Sequence, residues 1–129
     1  MAFEQPVFRV TLPAGGDLSA NQYLLVEIAA DDSQVDVAST SAAHRPIGVL
    51  QNNPNAAGKA ADIMVMGISK VVCSETVTVG DYICPSEDNG GKVNTADSTG
   101  DLVIGIALQT GASNDKISAI IFPAAGYKA

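Results

Sequence analysis

The chain has no tryptophan, one histidine, two cysteines and few aromatic residues, 5% of its 129. Each scarcity closes off a class of function. With so few aromatic rings there is little on which single-stranded bases or sugars could stack. Seven Lys and Arg stand against fourteen Asp and Glu, a formal charge of −7. Phosphate backbones need a basic patch, so nucleic acid is not an expected partner. His44 with Cys73 and Cys84 is a poor ligand set, and neither a metal nor another cofactor is expected. The two cysteines read as buried thiols, although they fall in neighbouring strand candidates and could pair. No apolar run reaches the roughly 18 residues that span a bilayer, and no membrane partner is expected. Met1 to Pro6 lacks the basic flank and apolar block of a signal peptide, so synthesis in the cytoplasm is expected.

Catalytic groupings are missing too. A Ser/His/Asp reading needs a nucleophile turn such as Gly-x-Ser-x-Gly, which is absent, and His44 reads as a loop residue. Asp31, Asp32 and Asp36 lack the calcium-loop register and its distal Glu. Glu87 and Asp88 flank a turn. Gly15-Gly16 and Gly90-Gly91 precede no helix, so neither cradles a phosphate. Met64 and Met66 read as core filler. No enzyme activity is expected.

What is present is a body written twice. Hydrophobic residues make up 47% of the chain and charged ones 16%. At this length one domain can bury roughly two thirds of its unfolded surface. Tyr23-Leu24-Leu25 leads through Asp31-Asp32-Ser33-Gln34-Val35 to Pro46-Ile47-Gly48-Val49-Leu50-Gln51. Tyr82-Ile83-Cys84 leads through Glu87-Asp88-Asn89-Gly90-Gly91-Lys92-Val93 to Val103-Ile104-Gly105-Ile106-Ala107-Leu108-Gln109. Each half then meets a polar loop and a last apolar run, Ile63 to Ile68 or Ile117 to Phe122. Two such copies predict an all-β fold, a compact small β-barrel or β-sandwich built from two similar modules.

The stretch Leu18 to Ile28 could form an amphipathic helix, but its match to the plainly β segment Thr76 to Tyr82 favours strand and turn. Asn89-Gly90 is a hairpin signal. Gly48 and Gly105 face away from their apolar neighbours and predict close approach of another backbone. The final run of each half is apolar on both faces, which predicts central strands or strands whose second face a partner subunit covers. Residues 1–17 read as an extended N-terminal arm and hinge, in which the alternating stretch Val7 to Leu12 is a short strand or extended arm that its bounding prolines suit to an edge or a clasp. Residues 18–123 form the domain, with repeats at about 18–73 and 74–123, and 124–129 a C-terminal tail. The loop from Asn52 to Lys59 is the longer of the two equivalent loops and an obvious contact site, through Asn52, Asn53, Asn55 and Lys59.

Val79-Gly80-Asp81-Tyr82, Gly90-Gly91-Lys92-Val93 and Ile104-Gly105-Ile106-Ala107-Leu108 follow an order of features. An opening turn, a strand, a Gly hairpin, an Ile-Gly-Ile-Ala strand, a polar loop and an apolar strand succeed one another. This order resembles that of the small capsid cement, or head decoration, proteins of tailed bacteriophages, over roughly residues 18 to 123. The resemblance implies a structural protein on the outer face of an icosahedral shell, made in the host cytoplasm. Its partners would be the major capsid protein and itself, as a small oligomer with the trimer favoured. Unpaired ends could add strands to the capsid protein, which makes Phe3, Val7, Phe8, Arg9, Val10, Leu12 and Tyr127 candidate capsid contacts. Two alternatives stay open: a receptor- or glycan-binding module such as a fibre base, and a non-catalytic β-barrel subunit of an enzyme complex.

Overall fold

The computed structural model describes residues 2–29, 33–39 and 46–127, the side chains of 123–127 excepted. Asp31, Asp32 and His44 lie outside the described residues. The described residues form nine strands: β1 (Gln5–Pro13), β2 (Leu25–Ile28), β3 (Val35–Val37), β4 (Pro46–Leu50), β5 (Ala60–Val72), β6 (Tyr82–Pro85), β7 (Val93–Thr95), β8 (Leu102–Ala107) and β9 (Lys116–Tyr127). The described residues contain no helix. Of the two architectures expected, the barrel-like one is present, as a single curled half-barrel sheet.

The apolar runs of the two halves become the two long strands, β5 and β9, which pair antiparallel through Gly67↔Ile121 to Val72↔Lys116. Met64 pairs with both Arg9 and Val49, and Gly67 with both Pro6 and Ile121. One residue can face two partners only across opposite edges, so β1 runs along one edge of β5 while β4 and then β9 share the other. The sheet forks there. One leaf continues β4-β2-β3 and the other β9-β8-β6-β7.

The same pairings occur in both leaves. Val26 lies opposite Gly48 as Ile83 lies opposite Gly105. The Tyr23 N–H donates to the Leu50 carbonyl as the Gly80 N–H donates to that of Ala107. Gly15 N–H donates to the Val35 carbonyl, and Ser74 N–H to that of Val93. Tyr23 and Gly80 share a positive φ, 69° and 90°. The matching tyrosines of the sequence are therefore not equivalent: Tyr82 corresponds to Leu25, and glycine stands where Tyr23 takes a backbone angle uncommon for an aromatic.

Two cores lie on opposite faces of the first leaf. Leu25 and Val49 point into one with Ile83, Ile104, Ile117 and Ile121. Their chain neighbours Val26 and Leu50 point into the other with Ala14, Leu18, Val35 and Ile63. Strand alternation sends neighbours to opposite faces, so β2 and β4 are buried on both.

Both ends are paired into the sheet. The N-terminal arm is a sheet strand, because β1 pairs with β5 from Gln5↔Ile68 to Pro13↔Ala60 and Val10 and Leu12 pack on the second core. The C-terminal tail is also largely strand, with Leu102↔Tyr127 and Val103↔Gly126 closing β8 on β9. Alternating apolar residues gain more by burial on a sheet edge than as a free arm. The second hairpin is wider than an Asn-Gly turn: the positive φ falls on Gly91, at 78°, whose carbonyl accepts from the Leu25 N–H.

Candidate functional site

Three carboxylates are held by local turns. Asp81 Oδ2 accepts from the Thr78 N–H at 3.0 Å, Asp101 Oδ2 from the Ser98 N–H at 2.9 Å, and Asp115 Oδ2 from the Ala112 N–H at 2.9 Å. The side chain closes its own turn in each case. Among the described residues no group of three or more His, Cys, Asp or Glu is placed to hold a metal. Both cysteines are free and buried. Burial, with a smaller contribution from Asp115, pushes the Cys73 thiol up to about 11. Burial, with weaker contributions from nearby carboxylates led by Asp101, pushes Cys84 up to about 12. Such thiols stay protonated near neutrality and are poor nucleophiles.

The contact candidates of the N-terminal segment divide into three groups. Phe3 is exposed, and its backbone is strapped across the sheet: its N–H donates to Ser118 Oγ at 2.5 Å, and that hydroxyl donates to its carbonyl at 2.9 Å. The adjacent Glu4 takes the Tyr23 hydroxyl at 3.0 Å and lies 3.5 Å from Lys70. Burial, then the Glu4 carboxylate, raises the Tyr23 phenol above its ordinary range. Val7, Phe8 and Arg9 are exposed, and Arg9 reaches Asp62 at 4.0 Å. Val10 and Leu12 turn inward and are structural. The Tyr127 backbone pairs with Leu102, and its side chain lies outside the described residues.

The 52–59 loop is tied down rather than loose. The Asn52 side chain donates to the Ala60 carbonyl and accepts from the Asp62 N–H, both at 2.9 Å. The Pro54 and Lys59 carbonyls accept from Leu18 and Ala14 N–H groups, both at 2.8 Å. Asn53, Asn55 and Lys59 remain exposed.

One apolar surface was not singled out from the sequence. Tyr82 pairs with Ile106, Ile106 with Ile120, and Ile120 with Ile68. Cross-strand partners share a face, so these four side chains form one transverse row over β6, β8, β9 and β5. Val7 and Met66 extend it around a shallow groove that also reaches Phe122. Tyr82 is 57% exposed, Val7 73%, Met66 41% and Ile120 37%. The signal for this row was present as runs apolar on both faces, but periodicity alone does not say which face stays open. Charge collects elsewhere: Glu75, Glu87, Asp88, Asp97 and Asp101 line a separate hollow beside Cys84.

No curated protein sequence matches the chain. Among solved structures, the head fiber gp8.5 N base of bacteriophage phi29 is similar, with a TM-score of 0.65 and 15% identity over 88% of this chain and 92% of that one. At that identity the likeness speaks for the fold. A sheet that offers aliphatic contact area and closes its carboxylates into turns is the build of a structural protein, and the family model described as phage cement protein matches residues 3–122; the chain belongs to the phage cement protein family.

Proposed function

We propose that the protein binds the outside of an assembled icosahedral phage shell as a small oligomer, trimer favoured, and makes the shell harder to break. Membership of the cement family makes it a phage virion structural protein. The observation that supports the finer reading is a pair of open surfaces among the described residues. One is the apolar row. The other is β1, which pairs with β5 alone among the described strands, so its outer backbone edge is free to take a strand from a neighbour. Phe3, Phe8 and Arg9 on that side, with Asn53, Asn55 and Lys59 of the loop, are the proposed contacts to the major capsid protein. Many such contacts, repeated over a closed shell, add through avidity.

The fold shared with a head fiber base favours one second reading, in which the shell-bound body also presents a receptor- or glycan-binding surface. Mixing purified protein with undecorated shells tests the first reading through bound copies and survival of heat or osmotic shock. Saturable binding with raised survival is expected. A protein that neither binds nor protects any shell overturns it, and glycan binding without protection selects the second.

A further inference from the structure

Building on the small-oligomer reading, we propose that the row Tyr82–Ile106–Ile120–Ile68, with Val7 and Met66, is the face through which copies of this chain associate. Leu25 pairs with Val49 and Val49 with Met64, which is the first-leaf equivalent of Tyr82–Ile106–Ile120. The first row is buried, at 1%, 0% and 1% exposure. What Leu25 and Val49 pack against is this chain's own second half, Ile104 and Ile121 among others. The second row keeps the same position and the same apolar character, yet Tyr82 and Ile120 are open. One surface of the repeat is covered by the chain itself and its counterpart is left uncovered.

Area and charge both point to a second copy. At the exposures given, the row presents roughly 400–500 Å² of mostly apolar surface, the size of the largest patch on a typical monomer, which is often functional. A standard interface buries about 800 Å² per partner, of which about 60% is apolar, and so requires close to this amount. None of the residues lining the groove around Met66 and Ile120 carries a charge. Two bodies of −7 repel wherever their carboxylates approach, and the acidic hollow lies on other residues. A basic or neutral partner could use the acidic end; a copy of this chain is best met through the uncharged row.

The test compares full-length Val7→Asp and Ile120→Asp with Ile28→Asp, an exposed apolar residue off the row. Mass is read by light scattering and sedimentation over a concentration series, and folding by circular dichroism and melting. Both row variants should weaken association by roughly 100-fold or more while Ile28→Asp leaves it unchanged. If Ile120→Asp does not fold, the more exposed Val7→Asp decides. An oligomeric wild type whose folded row variants associate equally well overturns this face and leaves the oligomer reading standing. A wild type that stays monomeric at every concentration overturns both. A monomeric wild type that binds shells through Val7 and Ile120 likewise overturns the face and the oligomer reading, keeps shell binding, and assigns the row to the capsid protein.

Discussion

Adding one methyl group at Gly48 or Gly105 should destabilise the protein more than any exposed substitution. An ideal Cβ on Gly48 would lie 2.4 Å from the Met64 carbonyl oxygen and 2.7 Å from Ile63 Cγ2. On Gly105 it would lie 2.1 Å from the Ile120 carbonyl oxygen. The obstacle in both cases is backbone of the adjacent long strand, which cannot rotate aside as a side chain can. Restoring van der Waals contact requires β4 to move from β5, or β8 from β9, by about 1 Å, close to the gap that already costs a packed pair much of its attraction. Overpacking of this kind costs about 1–3 kcal/mol. A domain of this size loses roughly 3–5 °C of melting temperature per kcal/mol, so a fall of about 3–15 °C is expected in each variant, larger for Gly105→Ala. Gly16→Ala is the control, because nothing lies within 4 Å of its added Cβ. Thermal melts followed by circular dichroism read the difference. Wild-type melting in both Gly48→Ala and Gly105→Ala would refute the close-approach argument and the structural equivalence of the two strands.

The cysteines give a pH prediction. Their folded values lie near 11 and 12, above the ordinary 9, so the unfolded chain releases these protons first as pH rises. Stability attached to the protonated thiols is therefore complete below pH 9 and is lost from pH 9 towards 12; Cys84→Ser should flatten that slope in melts taken across the range, and an unchanged slope refutes the assignment. Deleting residues 1–4 removes the Phe3–Ser118 strap and the Glu4 contacts, polar interactions at an exposed margin, and should lower melting by about 5 °C or less. Deleting residues 1–12 strips β1 from β5 and uncovers Ala61 and Ile63, so melting should fall much further; a well-folded product with near wild-type melting would show that β1 is a dispensable arm.

Much of this fold is legible in the residues. Apolar runs bounded by turns gave the two central strands, and Gly48 and Gly105 gave the positions where backbones come close. What the sequence concealed follows from two properties of sheets. A shift of one residue moves every side chain to the other face, and runs such as Ile63-Met64-Val65-Met66 are apolar in either register. The tyrosines were therefore a false landmark: Tyr23 sits in a positive-φ turn outside β2, while Tyr82 opens β6. The ends stayed open for another reason. Prolines at 6 and 13 mark an edge, but they do not distinguish a free arm from a strand paired on one side only, and only Val10 and Leu12 turning inward decides it. Of the contact candidates, Val7, Phe8, Arg9, Asn53, Asn55 and Lys59 are at the surface, whereas Asn52 serves its own loop.

The duplication also explains why a chain so poor in chemical groups can still be specific. Each half builds the same small core: Ala14, Leu18, Val26, Val35 and Leu50 in one, Cys73, Val77, Ile83, Val93 and Ala107 in the other. A single half of that size would leave its back surface open to water. Joining two halves through β5 and β9 buries one back surface, the Leu25–Val49–Met64 row, against the other half. The second back surface has no third half to cover it within the chain. Hydrophobic burial is non-directional, but the row's register, width and lack of charge are not, and these restrict what can cover it. An aliphatic row of fixed spacing suits a rigid, equally apolar partner and rejects a charged or poorly ordered one. Stability therefore rests on one repeated design, satisfied inside the molecule once and left uncovered once, and the proposed association uses the uncovered copy.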